Sequence, residues 1–162
     1  MEFRIAQQED LEEIVAIYNA TIPGRMVTAD TAPVTIEERL PWFEKHHGNR
    51  PLWVVSVDEA IIGWVSFGNF YGRPAYNGTA EISIYLHAAQ QGKGYGAAIL
   101  KHCIAQAPLL QIHTLLGFIF SHNAPSLRLF AKAGFEEWGC LKDVAVMDEQ
   151  YYSLTILGLK IN

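Results

Sequence analysis

Hydrophobic positions recur along the chain with two periods, and the changes from one to the other mark out a mixed sheet. Residues 2–5 read as a short strand, and Gln8-Glu9-Asp10 supplies an acidic first turn suited to the positive end of a helix. Leu11, Ile14, Val15, Ile17 and Tyr18 then follow at helical spacing, to about residue 20. Residues 21–34 mix Pro23, Gly24, Asp30 and Pro33 with Arg25 and Met26 and read as a long irregular connection, a kind of segment that often carries function. Thr35-Ile36-Glu37-Glu38 has the spacing of a capping box. It opens a helix anchored by Trp42 and Phe43 and ended by His46-His47-Gly48, in which Pro41 predicts a kink or two short pieces.

Residues 52–57 and 61–71 are aromatic and β-branched runs separated by Asp58-Glu59-Ala60, the pattern of a hairpin. After a turn region at 72–78, residues 79–87 alternate, with Glu81, Ser83 and Tyr85 on one side and Ile82, Ile84 and Leu86 on the other. A glycine-rich stretch, residues 88–96, leads straight into a helical stripe of Ile99, Leu100, Cys103, Ile104 and Ala107. A buried-type strand at 112–120, a helix at 125–133 closed by Gly134, and strands at 135–141 and 151–161 complete the reading. Alternating strands and helices in the middle, with hairpins at both ends, predict a mixed α/β sheet within a single domain spanning residues 1–162.

Composition narrows the function classes. Half of the 162 residues are hydrophobic and the net charge is −5, so the chain fills one core and lacks the positive field of a general nucleic-acid binder. No run approaches the roughly 18 apolar residues of a membrane span, and Met1-Glu2-Phe3-Arg4 does not open a secretion signal. The expectation is a cytoplasmic protein with neither nucleic-acid nor membrane partner. Cys103 and Cys140 are read as free thiols, and six histidines without ligand spacing predict no metal site.

One segment departs from the average. From residue 82 to residue 135 there is no Asp or Glu, where about five or six would be expected, yet Lys93, Lys101, Arg128 and Lys132 remain. Glycines between a strand and a helix let the backbone approach a ligand, and the first-turn N–H groups then point at an anion. A plain tight connection is the bland alternative, but the missing carboxylates favour a phosphate site. Gly92-Lys93-Gly94-Tyr95-Gly96-Ala97 satisfies the dinucleotide fingerprint in form but lacks the acid about twenty residues further on, and Lys93 is not followed by the Ser or Thr of a nucleotide-hydrolase loop.

Gln91-Gly92-Lys93-Gly94-Tyr95-Gly96 fits Q/R-x-x-G-x-G/A, and at this point the chain resembles the GNAT superfamily of acyl-coenzyme A-dependent N-acyltransferases. Residues 123–135, NAPSLRLFAKAGF, are similar to that family's N-x-x-S-x-x-L-(Y/F)-x-x-x-G-F signature. Residues 73–86, RPAYNGTAEISIYL, resemble a stretch of the phosphinothricin and methionine sulfone/sulfoximine acetyltransferases, which acetylate the α-amino group of small amino-acid analogues. The resemblance implies a GNAT-like, mostly antiparallel central sheet flanked by helices, acetyl-coenzyme A as co-substrate, a small-molecule amine as acceptor and, as is common among similar proteins, a homodimer.

It also implies residue roles. Glu81 stands at the position of the family's proposed base and acts directly or through a water; the bland alternative is a rim glutamate. Tyr85 and Leu86 border the pantetheine arm, with a backbone N–H near Leu86 polarising the thioester carbonyl. Gln91, Gly92, Lys93, Gly94, Tyr95 and Gly96 bind the pyrophosphate and Asn123 the pantetheine arm, while Ser126 is a coenzyme contact or a helix cap. Arg73 is the expected carboxylate clamp, and Tyr76 shapes the acceptor pocket with Phe67, Tyr71 and residues 25–28.

Two departures stand out: Phe130 replaces the Tyr or His that protonates the leaving sulfur in many relatives, and residues 145–153 do not follow the subgroup's C-terminal pattern. They keep open two other readings, a non-catalytic acyl-coenzyme A sensor and a protein or peptide N-acetyltransferase. Cys103 lies on an apolar helix stripe, so direct transfer is expected rather than an acyl-cysteine route.

Overall fold

The computed structural model describes residues 1–162 as seven strands and four helices. The strands are β1 (Glu2–Ile5), β2 (Leu52–Val57), β3 (Ala60–Asn69), β4 (Thr79–Leu86), β5 (Thr114–Phe120), β6 (Glu136–Met147) and β7 (Gln150–Lys160). The helices are α1 (Leu11–Thr21), α2 (Ile36–Glu44), α3 (Tyr95–Gln106) and α4 (Ala124–Lys132). One sheet runs in the order β1-β2-β3-β4-β5-β7-β6, antiparallel throughout except where β4 meets β5.

Strand alternation divides the core in two. Val54 and Trp64 join Ile14, Ile17 and Tyr18 of α1 on one face, while their neighbours Val55 and Val65 join Ile99, Leu100 and Cys103 of α3 and Phe130 of α4 on the other. α2 adds Trp42 and Phe43 to the α1 face. Its capping box forms as the spacing requires, Glu38 N–H donating to Thr35 Oγ1 (3.1 Å) and Thr35 N–H to Glu38 Oε2 (2.7 Å). Pro41 sits inside this single helix without dividing it. One missing backbone donor is tolerated where cap and aromatic anchors hold both sides.

Both hairpins turn on two residues in the left-handed region, Asp58 and Glu59 (φ 50° and 66°) and Asp148 and Glu149 (φ 52° and 63°). β6 runs to Met147, beyond the end expected near residue 141, because the polar Lys142-Asp143 step is absorbed by an irregularity between Leu141 and Ala145. Asp143 N–H there donates to Ser153 Oγ (3.0 Å) instead of following the ladder.

The feature that positions the site lies at the parallel seam. β4 pairs with β5 only through Thr79–Thr114, Ala80–Leu115 and Glu81–Leu116, whereas its pairing with β3 continues to Leu86, opposite Gly63. Past Glu81 the two parallel strands part. His87 N–H donates to Ile62 O (2.9 Å), which sets the antiparallel ladder so that Ile84 and Leu86 turn their N–H and C=O groups away from β3, into the opening.

Gly63 holds this strand end in place. A Cβ on it would stand 2.3 Å from Tyr85 O and 2.7 Å from Leu86 Cδ2. Gly63→Ala is expected to cost about 1–3 kcal/mol of stability in denaturant titration, because the main chain of β4 must move to admit the methyl.

Candidate functional site

Between β4 and α3 the chain makes a 3-10 turn (Ala88–Gln90) and then two left-handed glycines, Gly92 (φ 73°) and Gly94 (φ 85°). Gly94 is the N-cap of α3 and no side chain caps that end, so the first-turn N–H groups are unclaimed within the protein. A Cβ at Gly92 or Gly94 would meet nothing within 4 Å, which leaves clear space above the loop. Gly96 is small for another reason: its Cβ would press on Leu129 Cδ2 at 3.2 Å, where α3 packs on α4. Lys93 Nζ donates to Gln90 Oε1 (3.1 Å), Gln91 is exposed, and Tyr95 packs against the α3-side core. Open space, free donors and the absence of nearby carboxylates in the sequence suit a diphosphate, and the β4–β5 opening suits an extended arm that pairs with Ile84 and Leu86. The residues therefore fit coenzyme A. No three His, Cys, Asp or Glu side chains gather as a metal-ligating group.

On the α1–α2 face, three successive cross-strand pairs of β3 and β4 lead to a cavity: Trp64–Tyr85, Ser66–Ser83 and Gly68–Glu81. Trp64 and Tyr85 stack, with centroids 4.4 Å apart and planes 12° apart, and Trp64 Nε1 donates to Ile14 O of α1 (3.1 Å). Gly68 puts no side chain beside Glu81 and leaves open space there. Glu81 consequently faces a cavity of about 500 Å³, whose wall includes Trp42, Lys45, His46, Arg50, Ser66 and Ser83. Burial alone lifts the Glu81 carboxyl above its ordinary value, with no neighbouring charge or hydrogen bond acting on it. Deeper on this face, Tyr18 donates to Asp30 and contacts the Thr28 hydroxyl, and Arg39 lies over the rings of Tyr18 (4.1 Å) and Trp42 (4.7 Å).

Several residues singled out in the sequence lie elsewhere or are otherwise engaged. Arg73 and Tyr76 are exposed on the β3–β4 connection and do not line the cavity; Tyr76 packs edge-on against Phe70 (5.3 Å), and Tyr71 is 79% exposed. Asn123 is buried, accepting from Ser126 N–H (3.2 Å) and donating to Met26 O (3.0 Å), so it caps α4 and pins the 22–35 connection. The cap is thus Asn123, not the Ser126 hydroxyl. Arg25 pairs with Asp148 at the β6–β7 turn (2.8 Å) rather than facing the cavity. Phe130 is core: the ring would meet a Cβ on Gly117 at 2.7 Å. Cys103 is buried, its thiol pushed up to about 12, which makes it no nucleophile at neutral pH.

The cavity also holds residues that sequence patterns did not mark, above all His46, Arg50 and Ser66. His46 reads locally as a helix stop and Ser66 as one position of a β-run. Only the burial of Arg50, 2% exposed, with its guanidinium donating to the carbonyls of Asn49 (2.6 Å), Leu110 (3.3 Å) and Asn77, shows that it belongs to the interior.

Comparison with known proteins agrees with this geometry. The sequence pattern described as the acetyltransferase (GNAT) family matches residues 11–135. The chain is 52% identical, over the full length of both, to a Bacillus subtilis protein named "Putative phosphinothricin acetyltransferase YwnH". It is 29% identical to the L-methionine sulfoximine/L-methionine sulfone acetyltransferase of Salmonella typhimurium, covering 100% of this chain and 95% of that one. It also superimposes with a TM-score of 0.91 on a phosphinothricin acetyltransferase from Sinorhizobium meliloti in complex with acetyl-coenzyme A, at 26% identity and covering 99% and 88% of the two chains.

Two outcomes follow for the loop and the carboxylate. Gly94→Ala forces a left-handed alanine at a cost of about 1 kcal/mol, and calorimetric titration should show coenzyme A binding weakened by about five-fold. A group whose folded pKa lies above its unfolded value stabilises most while protonated and loses that contribution as pH rises through the folded value. The melting temperature of Glu81→Gln should therefore exceed that of the native protein at neutral pH and converge with it below the ordinary carboxylate range.

Proposed function

The chain belongs to the GNAT acetyltransferase family, an acetyl-coenzyme A-dependent enzyme family, and from that premise we propose that it acetylates the α-amino group of a small amino acid or amino-acid analogue, of the phosphinothricin or methionine sulfoximine kind. One observation carries this reading: Glu81 is the last β4 residue paired with β5 and also the one carboxylate lining a cavity otherwise furnished with Lys45, Arg50 and two histidines. A cavity with one acid for an ammonium and an excess of cations for an acid group matches a zwitterionic acceptor better than a plain alkylamine. The names of the relatives support the same substrate class.

Acetyl-coenzyme A, held by the donors of residues 91–96 and along Ile84 and Leu86, supplies an activated acyl group at the strand opening. Free α-amines are largely ammonium at neutral pH, and Glu81 takes the proton that must leave before attack; its burial brings the carboxyl nearer to neutrality and makes it a better base. The Leu86 N–H, turned away from β3, polarises the acyl carbonyl. Lys45, an exposed cation on the cavity wall, takes over the acid-recognition role expected of Arg73.

The reading extends to residues 1–162 working as a single acyl-coenzyme A N-acyltransferase domain in the cytoplasm, without nucleic-acid or membrane partners; the net charge of −5 disfavours a nucleic-acid role. Exposed Trp138, Val144, Val146 and Tyr151 on the β6–β7 hairpin support a homodimer.

Thiol release from acetyl-coenzyme A is the measurement, across amino acids, their sulfoximine and phosphinate analogues, alkylamines and peptides. Amino acids and analogues should turn over fastest, with an acid limb of kcat/KM above the ordinary carboxylate range. Glu81→Gln should lower kcat by about 10²–10⁴-fold and leave coenzyme A binding intact. Peptides as the preferred acceptors would move the chain to protein acetylation. Stabilisation by coenzyme A without thiol release from any acceptor would make it a sensor.

A further inference from the structure

We propose that His46, just beyond α2, is the proton outlet of the acceptor cavity, receiving through the Ser83 and Ser66 hydroxyls the proton that Glu81 removes from the incoming ammonium. The proposal rests on the reading of Glu81 as the base, and its geometry is that of the side chains across the cavity wall. His46 Nδ1 lies 3.0 Å from Trp42 O and 3.3 Å from Phe43 O. Both are acceptors only, so Nδ1 carries the hydrogen of the neutral ring. Nε2 is then bare and accepts from Ser66 Oγ at 3.0 Å.

That direction matters, because the Ser66 oxygen keeps lone pairs free while its hydrogen points at the imidazole. Ser83 is the direct cross-strand partner of Ser66, with Cβ atoms of such pairs about 5 Å apart, within reach of hydroxyl contact. Glu81 precedes Ser83 by two residues on the same strand face, roughly 6.6 Å along β4, a gap that one water spans. All four side chains line the same cavity. The bridging water and each hydroxyl take one hydrogen on their oxygen and give up one of their own: an O–H bond breaks at Glu81, an N–H bond forms at His46 Nε2, and the water and the serines are returned unchanged.

The other groups facing this space are cationic or neutral. Lys45 and His47 come from the end of α2 and Arg50 from the segment before β2, while β3 contributes no charge beside Ser66. Burial holds the His46 ring below its ordinary value, so it rests neutral at neutral pH and, once loaded, gives its proton up readily. The same ring also lines a second cavity of about 220 Å³ together with Glu44, which gives the proton a way on from the acceptor side.

The test is His46→Ala, assayed for thiol release with the best amino-acid acceptor. kcat should fall on the order of ten-fold, with both KM values essentially unchanged. Added imidazole should restore turnover, 4-methylimidazole more so, and pyrazole, of similar size and far less basic, should not. A side chain that merely fills space would be replaced equally well by all three. Ser66→Ala should reproduce the loss without rescue and Ser66→Thr should retain activity, a comparison that decides the matter if His46→Ala does not fold. Unchanged kcat in His46→Ala, rescue independent of basicity, or equal kcat in the two Ser66 variants overturns the outlet alone. A native protein that transfers acetyl to no amine overturns the functional reading and the outlet with it.

Discussion

The parting of β4 from β5 after Glu81 and Leu116 is the constraint on which the rest of the structure depends. A strand inside a sheet ordinarily satisfies its backbone groups on both edges, and one that loses a neighbour exposes a row of donors and acceptors. Here that row belongs to Ile84 and Leu86 and lies between two layers of helices. The same divergence carries the strand directly into the glycine turn that opens α3, so the unpaired edge and the free helix N-terminus form one continuous polar track.

Both faces of β4 are used, for different purposes. Ile82, Ile84 and Leu86 point into or pack against the α3-side core and hold the strand rigid. Glu81, Ser83 and Tyr85 point to the α1–α2 side, where the first two line a cavity and the third stacks on Trp64. Period-two alternation thus separates scaffold from chemistry within a single strand of eight residues. The polar face departs from what stability alone would favour. Glu81 is half-buried without a partner, and the Arg50 Nε is buried with no hydrogen-bond acceptor. Such groups oppose folding and are retained where a ligand or a proton meets them.

The long 22–35 connection forms the outer wall of this side and is tied down at several points. The Asn19 side chain both donates to Val34 O and accepts from Val34 N–H, at 2.9 Å each, closing the base of the loop. His122 donates to Arg25 O (2.8 Å), Asn123 holds Met26 O, and Arg25 reaches Asp148 at the far hairpin. The C-terminal hairpin therefore helps to anchor this loop, through Asp148.

Much of this was legible in the chain itself: the strand–glycine loop–helix, the capped α2, the hairpin at Asp58-Glu59, the carboxylate-free segment and Glu81 as the last acid before it. Each follows from periodicity, turn chemistry or charge among residues close in sequence, and such preferences act before any tertiary contact forms. The remainder was decided by folding. Arg73 lies near Glu81 in sequence yet faces solvent, Asn123 serves as a helix cap and a loop tie, and β6 continues through a step that reads locally as a break. His46, Ser66 and Glu81 meet because β3 pairs with β4 in one register and α2 packs across that face through Trp42 and Phe43. Register and helix docking are set by the filling of a shared core, and no local pattern encodes which distant side chains that filling will bring together.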